Sequence, residues 1–164
     1  MRYKPKFILP RSSAKFICRK EIEILLLPLN QNGNQVWCLN RVTELPKEII
    51  NIATRLSGLN FLTFIRIGDI ELYASDEVYG ARDGTPLVKE GHPTANGIII
   101  SFHRKYKSIQ FGSINSPIKG NDSKMVDAVL TKLPKSWKAT MYKDWSNSFW
   151  EKMVGKHANL KWML

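Results

Sequence analysis

The chain has 164 residues, enough for one domain with a substantial core and too few for two comfortable ones. Hydrophobic residues make up 43% and charged residues 24%, which excludes an intrinsically disordered composition. Its 25 Lys plus Arg against 14 Asp plus Glu give a formal charge of +11 and a pI near 9.8, a balance that favours polyanionic partners.

The charge is uneven along the chain. Met1 to Lys20 carries seven basic residues and no acid, whereas Glu21 to Glu90 is net negative, with six basic and ten acidic residues. From Gly91 onward there are twelve basic and four acidic residues. The two ends of the chain are therefore expected to supply the positive potential.

Residues 1–14 read as a basic arm and 15–164 as a single α+β domain. Pro5 and Pro10 bar a regular helix in the arm, and Arg11 and Lys15 are candidate phosphate contacts at its end. Cys18 and Cys38 lack CxxC spacing and are expected to be free thiols in a cytoplasmic protein. The longest apolar stretch, Ile24 to Leu29, is six residues and contains Pro28, too short for a bilayer span, so no membrane partner is expected.

Glu21 to Val42 reads as a β-hairpin around Asn32-Gly33. A helix follows, with Pro46 at its first position, Gly58 past its end, and Ile49, Ile52, Ala53 and Leu56 on one face. Phe61 to Ser75 alternates as two strands broken at Gly68-Asp69. The polar stretch from Asp76 to Asn96 is expected to be a long loop, functional or mobile.

Gly97 to Ser113 (GIIISFHRKYKSIQFGS) has β-branched and aromatic flanks around a polar tip, the pattern of a strand–loop–strand. A second helix is expected over Ser123–Leu133, capped by Asp122 and stopped by Pro134. Lys135 to Asp144 is ambiguous between strand and helical turn. A third helix is expected from Ser148, where Ser148 and Glu151 fit a capping box and Gly155 closes it. The implied fold is α+β: a mostly antiparallel sheet with about three short helices concentrated in the C-terminal third.

Phosphate-loop, GxGxxG, GxSxG and HExxH patterns are all missing, and nothing implies a cofactor. His92, His103 and His157 show no metal-ligand spacing with the cysteines. Asp69, Glu71, Asp76, Glu77 and Asp83 cluster in sequence. Tyr73 stands where a restriction-type nuclease pattern needs lysine, so they read as charged turn residues.

Three functional classes remain. Binding of nucleic acid through its phosphates would use Arg104, Lys105 and Lys107 at the tip, with Tyr106 or His103 stacking or hydrogen-bonding. Lys135, Trp137 and Lys138 would assist, with Trp137 or Trp145 exposed and Trp150 and Trp162 in the core. A metal-independent ribonuclease would employ His103 as general acid or base, with His92 and Arg82 nearby. An interaction or inhibitor module would set the same cations against an acidic protein. The first is the reading the residues favour.

Overall fold

The computed structural model describes residues 35–38, 45–79, 85–141 and 148–162. In chain order these form β1 (Gln35–Cys38), α1 (Lys47–Ser57), β2 (Phe64–Ile67), β3 (Glu71–Ser75), β4 (Val78–Tyr79), β5 (Thr85–Pro86) and β6 (Gly97–His103). They continue with β7 (Ser108–Asn115), α2 (Asn121–Leu130), β8 (Lys138–Met141), α3 (Phe149–Lys156) and β9 (Leu160–Trp162). The architecture is α+β.

Seven strands build one sheet in the order β1-β2-β3-β6-β7-β8-β9. Its centre, from β2 through β7, is antiparallel; β1 joins β2, β8 joins β7 and β9 joins β8 in parallel. The three parallel joins are the places where a helix intervenes, because a parallel connection must return the chain to its starting end. Two of the three described helices fall in the C-terminal third.

Period-two alternation carries the core. Ile65, Ile67, Leu72, Ala74, Ile98, Ile100, Phe102, Ile109 and Phe111 are all buried and belong to one cluster. Against them α1 sets Ile49, Ile52, Ala53 and Leu56, the i, i+3, i+4, i+7 stripe of an amphipathic helix. Met125, Val126, Val129 and Leu130 of α2 and Trp150 and Met153 of α3 complete the cluster. Trp150 lies 5.1 Å from Phe111, ring centre to ring centre. The alternate residues of the strands, Phe64, Arg66, Tyr73, Ile99, Ser101 and Gln110, are half-buried. Among these, Tyr73 donates to Glu71 Oε2 (2.8 Å), and burial, then that carboxylate, push its phenol pKa up.

Where β6 meets β7 the register shifts between Ile98 and Ile100, so that Ile99 faces Gly112 and Ser113 together. A Cβ at Gly112 would approach Ile99 O to 3.3 Å, which explains the glycine at the bulge.

The helices are tied to each other by polar contacts. Arg55 of α1 donates Nε to Ala128 O and Nη2 to Val129 O, two last-turn carbonyls of α2 that lack helical partners. Burial lowers the pKa of this guanidinium. Lys156 Nζ (2.6 Å) and His157 Nε2 (2.7 Å) converge on the Asp127 carboxylate and join α3 to α2. Burial alone would raise the Asp127 pKa, but the hydrogen bonds and charges of Lys156 and His157 outweigh it, and the net shift is downward. A carboxyl so lowered adds stability above its unfolded pKa of about 3.9, and that stability is lost as pH falls through the folded value. Thermal melts of Asp127→Asn and the parent are expected to differ near neutral pH and to converge as the pH falls below the carboxylate range.

Several boundaries differ from those read in the sequence. The second helix starts at Asn121, behind Gly120 at φ 91°, and ends at Leu130; Asp122 lies inside its first turn, accepting from Ser123 N. The start moves because Asn121 is anchored inside, its Nδ2 donating to Asn96 Oδ1 (3.3 Å). At the third helix Ser148 is left-handed (φ 72°) and makes no side-chain cap, so the capping box is not formed; the helix runs through Gly155 to Lys156. Pro46 stands one residue before α1 rather than as its first residue. Residues 138–141 of the ambiguous segment are strand. Of the 21–42 hairpin, only the returning strand at Gln35–Cys38 is within the described residues, and it pairs with β2. The arm and Cys18 lie outside them.

The described parts of the stretch from Asp76 to Asn96, residues 76–79 and 85–96, are built rather than structureless. β4 pairs with β5, and the two ends of the stretch are fastened together. Asp76 N donates to Asn96 O (3.1 Å), while the Asp76 carboxylate accepts from Asn96 N and Nδ2 at 2.7 Å each. The buried Ser75 hydroxyl lies within 2.8 Å of Leu87 O and Asn96 O. A Cβ at Gly97 would meet Val88 Cγ2 at 2.8 Å and Leu87 O at 3.0 Å, so the returning chain lies directly on β6.

Candidate nucleic-acid interface

The strand directions bring the ends of β1, β2 and β6 together with the starts of β7 and β8 at one end of the sheet. The β6–β7 connection there is a four-residue turn, Arg104–Lys107, with Lys107 at φ 47°. Lys107 O accepts from Lys138 N (2.9 Å), which locks the turn to β8. The chain leaving β1 must start α1 at the same end. As a result Arg104, Lys105, Lys107, Leu45, Pro46, Lys47, Glu48 and Trp137 line a single open cleft of about 700 Å³.

Electrostatics favour an anion here. Among the described residues that line the cleft, Lys47, Arg104, Lys105 and Lys107 stand beside one carboxylate, Glu48. The backbone adds to them: Ile49 N and Ile50 N both donate to Pro46 O, and Pro46 supplies no side-chain cap. The amides of Lys47 and Glu48, first in the helix, have no acceptor within it and add their partial positive charge to the cleft. An oxyanion of a phosphate is the ligand chemistry that such a set suits.

The residues singled out in the sequence fall as follows. Arg104, Lys105 and Lys107 line the cleft, and Tyr106 stands at the tip of the turn, 68% exposed. Lys105 Nζ lies 5.5 Å from the centre of the Tyr106 ring. His103 is exposed at the end of β6 and pairs with Ser108. Lys135 and Lys138 are exposed beside the cleft, in the turn before β8 and at its first residue. Trp137 departs from expectation: it is only 4% exposed and belongs to the core, so it walls the cleft rather than offering a stacking face. It shares the inward face with Ala139 and Met141, the alternate residues of β8, while Lys138 between them is exposed. Trp150 is core, as expected. Trp145, Arg11 and Lys15 lie outside the described residues.

What the sequence reading missed is the contribution of Leu45 to Glu48. The available signal was Pro46, a residue that starts a helix without capping its N–H groups.

The histidines do not assemble. Asn115 Nδ2 donates to His92 O (3.1 Å), which places His92 at the Gly97 end of β6, whereas His103 is at the other end. A seven-residue strand separates them by roughly 20 Å, too far for one phosphate. Arg82 is outside the described residues. The carboxylates are likewise dispersed into local bonds, Glu71 with Tyr73, Asp76 with Asn96 and Glu77 with Thr94. Among the described residues no group of three or more His, Cys, Asp and Glu could hold a metal ion. Nor is any helix among them long and apolar enough to cross a membrane.

Compared with protein-family models, with curated proteins and with solved structures, the chain matches none.

Proposed function

We propose that this protein binds nucleic acid through its phosphate backbone, with Arg104, Lys105 and Lys107 as the principal contacts and Lys135 and Lys138 at the margin. The observation that supports this reading is the convergence of those three side chains with Lys47 and the start of α1 on one cleft, in a chain of net charge +11. Phosphate contacts of this kind fix position without reading bases.

Counter-ion release makes the test quantitative. Affinity for single- and double-stranded DNA and RNA is measured by fluorescence anisotropy across a salt series. A linear fall of log affinity with log salt is expected, with a slope near −0.7 per phosphate contact on a single strand and −0.9 on duplex DNA. Absence of salt-sensitive binding to all four nucleic acids would overturn the proposal and turn attention to an acidic protein partner.

A further inference from the structure

We infer that the bound nucleic acid is single-stranded and that Tyr106 is the surface on which one of its bases stacks, an inference that rests on phosphate binding in the cleft. Tyr106 is the most exposed large hydrophobic side chain among the described residues, ahead of Ile118, Ile70 and Tyr79. Its neighbours in the turn, Lys105 and Lys107, both line the cleft. A strand whose phosphates occupy the cleft therefore carries its bases past the ring.

The ring is largely open to solvent and has a cation beside it. Lys105 Nζ, 5.5 Å from the ring centre, gives it a cation–π neighbour, and the turn is short and bonded to β8 through Lys107 O. A base arriving on the ring removes apolar surface from water and adds stacking, with the lysine close enough to meet the adjoining phosphate. Duplex bases already have both faces covered by their neighbours and offer nothing to a tyrosine at the tip of a turn. Only an unpaired base has a free face, so the pairing of an exposed aromatic with a cationic cleft selects single strands.

Anisotropy titrations with a labelled pyrimidine 15-mer, the matching duplex and an abasic strand of equal length test this in the parent, Tyr106→Ala and Tyr106→Phe. The parent is expected to prefer the single strand. Tyr106→Ala should weaken single-strand binding roughly 5- to 150-fold, leave duplex and abasic binding unchanged, and keep the salt slope. Tyr106→Phe should retain most of the affinity, since the ring and not the hydroxyl stacks. Equal single-strand binding by Tyr106→Ala and parent, or equal losses on all three ligands, would overturn the stacking role while leaving phosphate binding intact. Parent protein that binds none of the three would overturn the proposed function and this inference with it.

Discussion

Removing the three cations of the turn is expected to cost about 500-fold in single-strand affinity at 50 mM salt and about 50-fold at 150 mM. The estimate takes three phosphate contacts at roughly 0.7 each in the log–log slope and lets the electrostatic contribution vanish near 1 M salt. The backbone dictates the substitutions. Lys107 sits at φ 47°, where asparagine is tolerated and alanine is strained, so the variant is Arg104→Gln, Lys105→Gln, Lys107→Asn. All three side chains are exposed, so the melting temperature should hardly move. A matched variant, Lys119→Gln, Lys124→Gln, Lys152→Gln, lowers the formal charge by the same amount, from +11 to +8, at exposed positions that do not line the cleft. It should lose far less. Equal losses in the two variants would mean that diffuse positive charge, and not the cleft, holds the polyanion. Only the turn variant should flatten the salt slope by about 2.

The sheet and the first helix were legible because burial and sequence period agree in them. β6 alternates around Ile98, Ile100 and Phe102, and α1 repeats its apolar residues at helical spacing, so each pattern admits one secondary structure. The cationic turn was legible too, since four polar residues between two such strands have nowhere to go but the tip. What was not legible is what the tip faces. Lys47 and Glu48 are more than fifty residues from Arg104 in sequence, and only the crossover from β1 through α1 to β2 brings them to the same end of the sheet. Trp137 was misjudged for a related reason. Flanking lysines mark a surface segment, but strand alternation puts Trp137 on the inward face with Ala139 and Met141. The capping rule failed at α2 because a tertiary hydrogen bond, not a local one, decides its start, and at α3 because Ser148 is left-handed and makes no side-chain cap. Asn121 is held by Asn96, twenty-five residues away.

That same asparagine carries the largest expected effect on stability. Asn96 is 3% exposed and serves three partners at once: Nδ2 donates to Asp76 Oδ2 (2.7 Å), and Oδ1 accepts from Ser116 Oγ (2.8 Å) and Asn121 Nδ2 (3.3 Å). It thereby joins the neck of the Asp76–Asn96 stretch, the end of β7 and the first turn of α2. Asn96→Ala strips one charge-assisted bond from Asp76 and leaves the buried Asn121 amide without that acceptor, a loss of about 3 kcal/mol together. For a chain of this size that corresponds to a fall in melting temperature of roughly 6–12 °C. Asn96→Asp keeps the shape but sets a carboxylate against Asp76. Two acids so close cannot both ionise without penalty, so one carboxyl pKa must rise. Asn96→Asp should therefore be less stable than Asn96→Ala at neutral pH and recover as pH falls into the range where the pair shares a proton. Melts of both variants across pH decide the matter, and a pH-independent deficit in Asn96→Asp would show that the two carboxylates are not in contact. The cleft lies at the other end of β6, roughly 20 Å away, so nucleic-acid affinity measured well below the transition should be unaltered in both. Loss of stability without loss of affinity here, against loss of affinity without loss of stability in the turn variant, separates the end of the sheet that holds the fold from the end proposed to bind.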